Sequence, residues 1–155
     1  MTFLLGERSE SNLRGVDANL VRCVRRAIAT TAVDFSVFEG VRSRERQAKL
    51  FADGASRTLD SYHLTGHAVD LVPYVGGRLQ WQMPLCIQVA IAMREAAEAF
   101  SVAVTWGAVW DRPLVQLNPT AMGLAIENYV ARYKITHGPR AQPLIDGPHF
   151  QVVRQ

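Results

Sequence analysis

The sequence predicts a single α+β domain with an antiparallel sheet and helices packed on one of its faces. Three observations predict it. At 155 residues the chain is long enough to bury one genuine core, and short for two. Two segments rich in β-branched residues, Val33–Glu39 and Ala68–Val75, are bounded by glycines in the manner of strands. Around them, longer stretches carry apolar residues three and four apart, the helical period. With 48% hydrophobic and 20% charged residues, the composition is that of an ordinary globular protein.

Taken in order, Asp17–Ala32 repeats Leu20, Val21, Val24, Ala27 and Ile28 on one side and Arg22, Arg25 and Arg26 on the other, with Asp17 as N-cap. Val33, Phe35 and Val37 alternate as in a strand, which Gly40 breaks. Ser43 caps a short helix running to about Asp53, and Gly54 is placed to end it. After a loop around Ser61, Ala68–Val75 is the second strand. Gly76-Gly77 supplies a tight hairpin turn, and Arg78–Trp81 returns antiparallel. Pro84 suits a first helical turn, so Leu85–Phe100, Ala-rich and amphipathic, is expected to be the main core helix. Val102–Thr105 and His149–Val153 complete the strands.

Between these last two lies an extra segment at about 111–142. Asn118-Pro119 reads there as N-cap and first residue of a helix whose apolar side carries Met122, Ala125, Ile126, Tyr129, Val130 and Tyr133. Gly138-Pro139 and Pro143 make a turn-rich return. Residues 1–155 therefore read as one domain, with no repeat, low-complexity stretch or linker.

Charge excludes little. Lys and Arg number 17 against 14 Asp and Glu, a net charge of +3. That suits anionic polymers such as cell wall, whereas the lack of a basic stripe with interleaved aromatics argues against nucleic acid. Cys23 and Cys86 each lie among apolar residues and read as reduced, buried thiols. Met1–Glu10 has a short apolar run but no basic n-region, so neither a signal peptide nor a membrane span is expected. The expectation is a monomer made in the cytoplasm of the producing cell, without stable membrane insertion, that meets the wall only after release.

The chemistry concentrates in Ser61–Asp70. Here His63 and Asp70, both good zinc donors, stand seven residues apart with Gly66 between them. The spacing does not suit one helical face; a loop entering a strand fits better. A third ligand must come from elsewhere, and Asp146-Gly147-Pro148-His149 offers one. Taken singly, either histidine would be an ordinary hydrogen-bonded side chain. His67 and His137 receive no ligand role.

The ordered set Ser61, His63, Gly66, Ala68 and Asp70, followed by Asp146 three residues before His149, resembles the LAS zinc peptidases. These are the VanY-type D-alanyl-D-alanine carboxypeptidases, related dipeptidases and phage L-alanyl-D-glutamate endopeptidases. Gly40-Val41-Arg42-Ser43 upstream of Gln47 is a further match. The resemblance implies Zn2+ held by His63, Asp70 and His149 at the centre of the sheet, with Asp146 as general base and proton donor. Arg42, just past a strand, is the cation expected to stabilise developing charge or clamp a carboxylate. Ser61, Gln47 and Trp106 are expected to contact substrate, with Trp110 as a second candidate wall; loop-structuring and core packing are the alternatives for Ser61 and Trp106. The implied substrate is the stem peptide of peptidoglycan, cleaved by a phage-type endolysin at L-alanyl-D-glutamate. Removal of terminal D-alanine by a D,D-carboxypeptidase, or a wall-binding module that keeps zinc without catalysis, are the alternatives.

Overall fold

The computed structural model describes residues 2–154. Five helices are α1 Glu7–Asn12, α2 Ala18–Thr30, α3 Arg44–Ala52, α4 Met83–Phe100 and α5 Met122–His137. Five strands are β1 Phe35–Glu39, β2 Ala68–Val75, β3 Arg78–Leu79, β4 Val104–Trp106 and β5 His149–Val152. The sheet runs β1-β2-β5-β4, entirely antiparallel, with β3 paired to the far end of β2. The domain is α+β, as the sequence predicts.

Alternation along the strands sets two faces. Val37, Val69, Leu71, Phe150 and Val152 point into the main core, where α2 and α4 supply Leu20, Val24, Ala90 and Met93. Phe150 and Trp106 are fully buried there, and truncating either to Ala would cost about 3–5 kcal/mol. Asp70, His149 and Gln151 alternate with these residues and so point to the opposite face. Register makes this more specific. Glu39 pairs with Asp70, and Asp70 with His149, so three chemically active side chains form a row across β1, β2 and β5. The row crosses the central pair of strands.

Local chemistry explains the boundaries. Asp17 accepts from the amides of Asn19 and Leu20, and Ser43 from that of Arg46, as N-caps do. Strand β1 begins two residues later than expected, because Thr31 holds Val33 and Asp34 holds the amide of Phe35 in local hydrogen bonds. Strand β3 stops at Leu79, leaving Trp81 beyond the ladder. Helix α5 starts at Met122. The Asn118 side chain instead accepts from the amide and hydroxyl of Thr120, closing a turn ahead of the helix.

Helix α1 was not expected, and its sequence shows why. Its one buried residue is Ser9, so it has no apolar period to read. It is held by polar groups: Ser9 Oγ accepts from the Val37 amide at 3.0 Å, and Asn12 donates to the Val37 carbonyl at 2.8 Å. These bonds cover the outer edge of β1, which would otherwise present unpaired backbone. Cys23 and Cys86 are free and buried, and burial pushes both thiols up to about 11, so they are inert at neutral pH. Among the described residues no helix is long and apolar enough to cross a membrane.

Candidate metal centre and its cleft

Ser61 ends the loop before a short 3-10 helix, Tyr62–Thr65, and its hydroxyl accepts from the His63 amide at 3.2 Å. Gly66 then turns the chain with a φ of +75°, and a Cβ there would stand 2.4 Å from the Gly15 carbonyl oxygen. Only glycine fits both conditions. This turn delivers His63 over β2, above the row formed by Asp70 and His149.

The three side chains converge. His63 Nε2 lies 3.2 Å from Asp70 Oδ1, and His149 Nδ1 lies 3.4 Å from the same oxygen. Together they form a group that could hold a metal ion. The remaining ring nitrogens fix which atoms face inward. His63 Nδ1–H donates to the Gly40 carbonyl at 2.8 Å, and His149 Nε2–H donates to Gln151 Oε1 at 2.8 Å. Each ring is thereby held in the tautomer whose lone pair points at the shared centre. Two neutral imidazole nitrogens and one carboxylate oxygen, outwardly tethered and inwardly unencumbered, fit a divalent metal with catalytic coordination.

Charge agrees with that geometry. When the inward nitrogens carry protons in place of a metal, burial alone would still push the Asp70 carboxyl up, but the hydrogen bonds they then donate, from His149 and from His63, outweigh it and hold it well below the usual carboxylate range. His149 is shifted upward: burial disfavours its cation, and the Asp70 hydrogen bond and charge more than compensate. Asp146 differs from both. Burial, and then the negative charge of Asp70, push its carboxyl above the ordinary value. Of the two aspartates, it is the one that holds a proton more readily.

Asp146 reaches this position through a tight turn. Its amide donates to the Gly107 carbonyl at 2.8 Å, and its carbonyl accepts from the His149 amide at 3.1 Å. A Cβ on Gly107 would stand 2.3 Å from the Asp146 carbonyl oxygen and 2.8 Å from His149 Cβ. The glycine between Trp106 and Trp110 is therefore what lets the turn press against the site.

A cleft of about 580 Å³ opens over the centre, lined by Arg42, Ser61, His63, Asp70, Asp146 and His149 together with Phe38, Trp81 and Trp110. Arg42 is largely buried, and its guanidinium is shared between Glu39, through Nε and an Nη, and Gln47, whose Oε1 accepts at 2.7 Å. The same Nη that meets Glu39 approaches Asp70 Oδ2 at 3.6 Å.

Two expected substrate contacts are corrected by this geometry. Gln47 is 1% exposed, and its amide nitrogen is already bonded to Ser56 and the Thr58 carbonyl, so it holds Arg42 rather than substrate. Trp106 is 0% exposed, its indole donating to the Gly147 carbonyl at 2.7 Å, so it belongs to the core. Trp110 walls the cleft instead, its ring 5.0 Å from that of His149. Ser61 lines the cleft, but its hydroxyl is engaged in capping.

Sequence reasoning missed Glu39, Gln151 and the Gly40 carbonyl. Gln151 had a readable signal: it lies two residues beyond His149 on a strand and so shares its face.

A family model described as phage L-alanyl-D-glutamate peptidase matches residues 1–118. The chain belongs to this family. Among relatives of this peptidase, the L-alanyl-D-glutamate peptidase of Escherichia phage T5 is 31% identical over 115 residues, 72% of this chain and 84% of the relative. That of Listeria phage A118 is 28% identical over 130 residues, 79% of this chain but 45% of the relative, so the chain spans under half of that protein. The solved L-Ala D-Glu endopeptidase ChiX of Serratia marcescens superposes with a TM-score of 0.71 at 37% identity, covering 97% of this chain and 90% of that one. The family match takes in Arg42, His63 and Asp70 but stops short of Asp146 and His149. In this structure His149 is brought to Asp70 by the pairing of β5 with β2, and Asp146 by the turn before β5.

Proposed function

We propose that this peptidase is a zinc-dependent endolysin that hydrolyses the L-alanyl-D-glutamate amide of the peptidoglycan stem peptide. The observation carrying the reading is the convergence of His63 Nε2, Asp70 Oδ1 and His149 Nδ1, each ring tethered on its far side, beneath a cleft that also holds a carboxylate and a guanidinium. The relatives' names supply the bond. A zinc ion bound there would polarise the scissile carbonyl and acidify a water molecule.

The chain's own groups do the rest. The Asp146 carboxylate accepts the proton of the attacking water and, once protonated, donates it to the departing D-glutamate nitrogen. Its raised proton affinity suits that exchange better than an unperturbed aspartate would. Arg42, fixed by Glu39 and Gln47, directs positive charge into the cleft where the carbonyl oxygen becomes negative, or holds a carboxylate of the D-glutamate. Trp110 covers His149 and keeps bulk water from that side. The reading includes action on the wall after release from the producing cell, and a monomeric enzyme.

Digestion of purified peptidoglycan followed by mass spectrometry of the fragments tests this directly. New N-terminal D-glutamate should appear, activity should vanish on chelation, and added zinc should restore it. Release of free D-alanine alone, or undiminished activity in a verified metal-free preparation, would overturn the reading.

A further inference from the structure

One part of the cleft has no role in the chemistry above. Phe38 at the end of β1 and Trp81 just beyond β3 meet edge to face, ring centroids 5.2 Å apart. β1 and β3 pair with opposite edges of β2. Tyr74 donates from its amide to Asp34 on the β1 side, and the Pro73 carbonyl accepts from Gln80 on the other. The two rings must therefore meet across the face of β2 that carries Asp70. Val72, the next side chain along that face, is fully buried although it lies outside the main core. Phe38 and Trp81 stay 38% and 53% exposed and line the same cleft as the metal-ligating group. A tryptophan half-exposed inside a catalytic cleft is a flat apolar surface with an open face.

The step along β2 from Asp70 to Val72 matches a chemical spacing in the substrate. Asp70 to Val72 is two strand residues, about 7 Å. In peptidoglycan the scissile carbonyl belongs to the first residue of the stem. That L-alanine is joined through its nitrogen to the lactyl group of a muramyl sugar. One residue plus the lactyl unit, whose amide, carbon and ether oxygen repeat the length of a residue, reaches about 7 Å when extended. With the scissile carbonyl at the centre and its N-terminal side extended along β2, the sugar arrives at the shelf. The C–H face of a pyranose ring is a good partner for the negative face of an indole.

We infer that Trp81, supported edge-on by Phe38, is the subsite for the muramyl sugar on the N-terminal side of the scissile bond. This rests on the peptidase reading and adds the glycan to it. The enzyme then recognises a sugar-bearing stem, not a bare peptide.

The test compares kcat/KM on two soluble substrates that share one stem peptide. One carries N-acetylmuramic acid on L-alanine; the other carries the lactyl group alone. The wild type should prefer the sugar-bearing substrate by about fivefold, the size of one aromatic contact. In Trp81→Ala this ratio should fall to near one, with Trp81→Phe between. Trp81→Leu keeps an apolar cover over Val72 without a flat face, and should lose the ratio even if Trp81→Ala fails to fold. Bound metal and melting temperature are recorded for each. A wild type indifferent to the sugar, or a Trp81→Leu enzyme that keeps the preference, overturns the inference while leaving the peptidase reading intact. Failure of the wild type to cleave either substrate overturns that reading, and the inference with it.

Discussion

The floor of the cleft and its rim are held in different ways. On the floor, sheet register aligns Glu39, Asp70 and His149, and His63 is lowered onto the row by a turn that only Gly66 can make. Every side chain of the candidate metal centre has a second partner: Gly40 for His63, Gln151 for His149, Arg42 for Asp70. At the rim, one exposed bond joins the 53–60 loop to the segment that follows α5, and two more tie the flanks of α5 to their neighbours. Arg57 donates to the Gln142 carbonyl at 3.0 Å, Trp110 to the Leu144 carbonyl at 3.0 Å, and Arg132 pairs with Asp111 at 2.7 Å. Exposed ties of this kind contribute about 0–1 kcal/mol each. Backbone register thus fixes the floor, while weak, replaceable contacts hold the rim.

The largest effects should come from the floor, and two variants divide its labour. His149→Ala removes a ligand, so bound zinc, melting temperature and activity should all fall together. Asp146→Asn keeps the shape but cannot take a proton. It should retain zinc and fold while turnover drops by the order of 10²–10⁴. Bound metal, thermal melting and peptidoglycan cleavage on both proteins separate the roles. Near wild-type turnover in Asp146→Asn would remove Asp146 from the mechanism, and loss of zinc would recast it as a ligand.

A smaller effect is expected where floor meets rim. Glu39 engages Arg42 and, with its other oxygen, the more exposed Arg46. Glu39→Gln should leave zinc bound but free the Arg42 guanidinium to drift, lowering kcat/KM by about tenfold, in proportion to a lost hydrogen bond to a charged group. Equal activity in the variant would mean that Gln47 alone positions Arg42. Loss of metal would instead mean that Glu39 helps to hold the metal-binding side chains in place.

How far the sequence carries follows the same division. Residues whose partners are near in sequence, or whose spacing is periodic, were readable: Asp17 and Ser43 as caps, β2 with its Gly76-Gly77 turn, α4, and the closeness of His63 to Asp70. His149 needed its likeness to a family, since nothing local distinguishes it from a strand histidine. Groups defined by register between distant strands were not readable. Glu39 looks like a charged strand end until β1 pairs with β2, and Gln47, expected to contact substrate, is instead seen to hold Arg42 once the loop at Ser56–Thr58 closes over it. Trp106 and Trp110 exchange their expected prominence because the Gly107 turn sends one into the core and leaves the other in the cleft. Helix α1 carries its information in Ser9 and Asn12, polar side chains that bond to β1, and periodicity does not register such contacts.

The smallest expected effect compares the two regions by pH, in protein stripped of metal. His149 has a folded-state proton affinity raised by Asp70 above its ordinary value near 6.5. Its contribution to stability is therefore complete below about pH 6.5 and is lost as pH rises through the raised value. Asp70 is shifted the other way. Its contribution is present above about pH 3.9 and is lost only as pH falls through its depressed value, so it stays constant across the neutral and alkaline range. The rim pair behaves likewise, because Arg132 lowers the Asp111 carboxyl by a hydrogen bond and neither group titrates between pH 6 and 9. The melting temperature of the metal-free protein should thus decline from pH 6.5 toward 9, and Asp70→Asn should flatten that decline. Arg132→Ala should lower the curve by at most about 3 °C at every pH, without changing its slope. Zinc should abolish the decline, since a metal on His149 Nδ1 replaces the proton and needs no acid to hold it. A decline that survives in Asp70→Asn would locate the titrating group outside the floor and dissolve the contrast between the two regions.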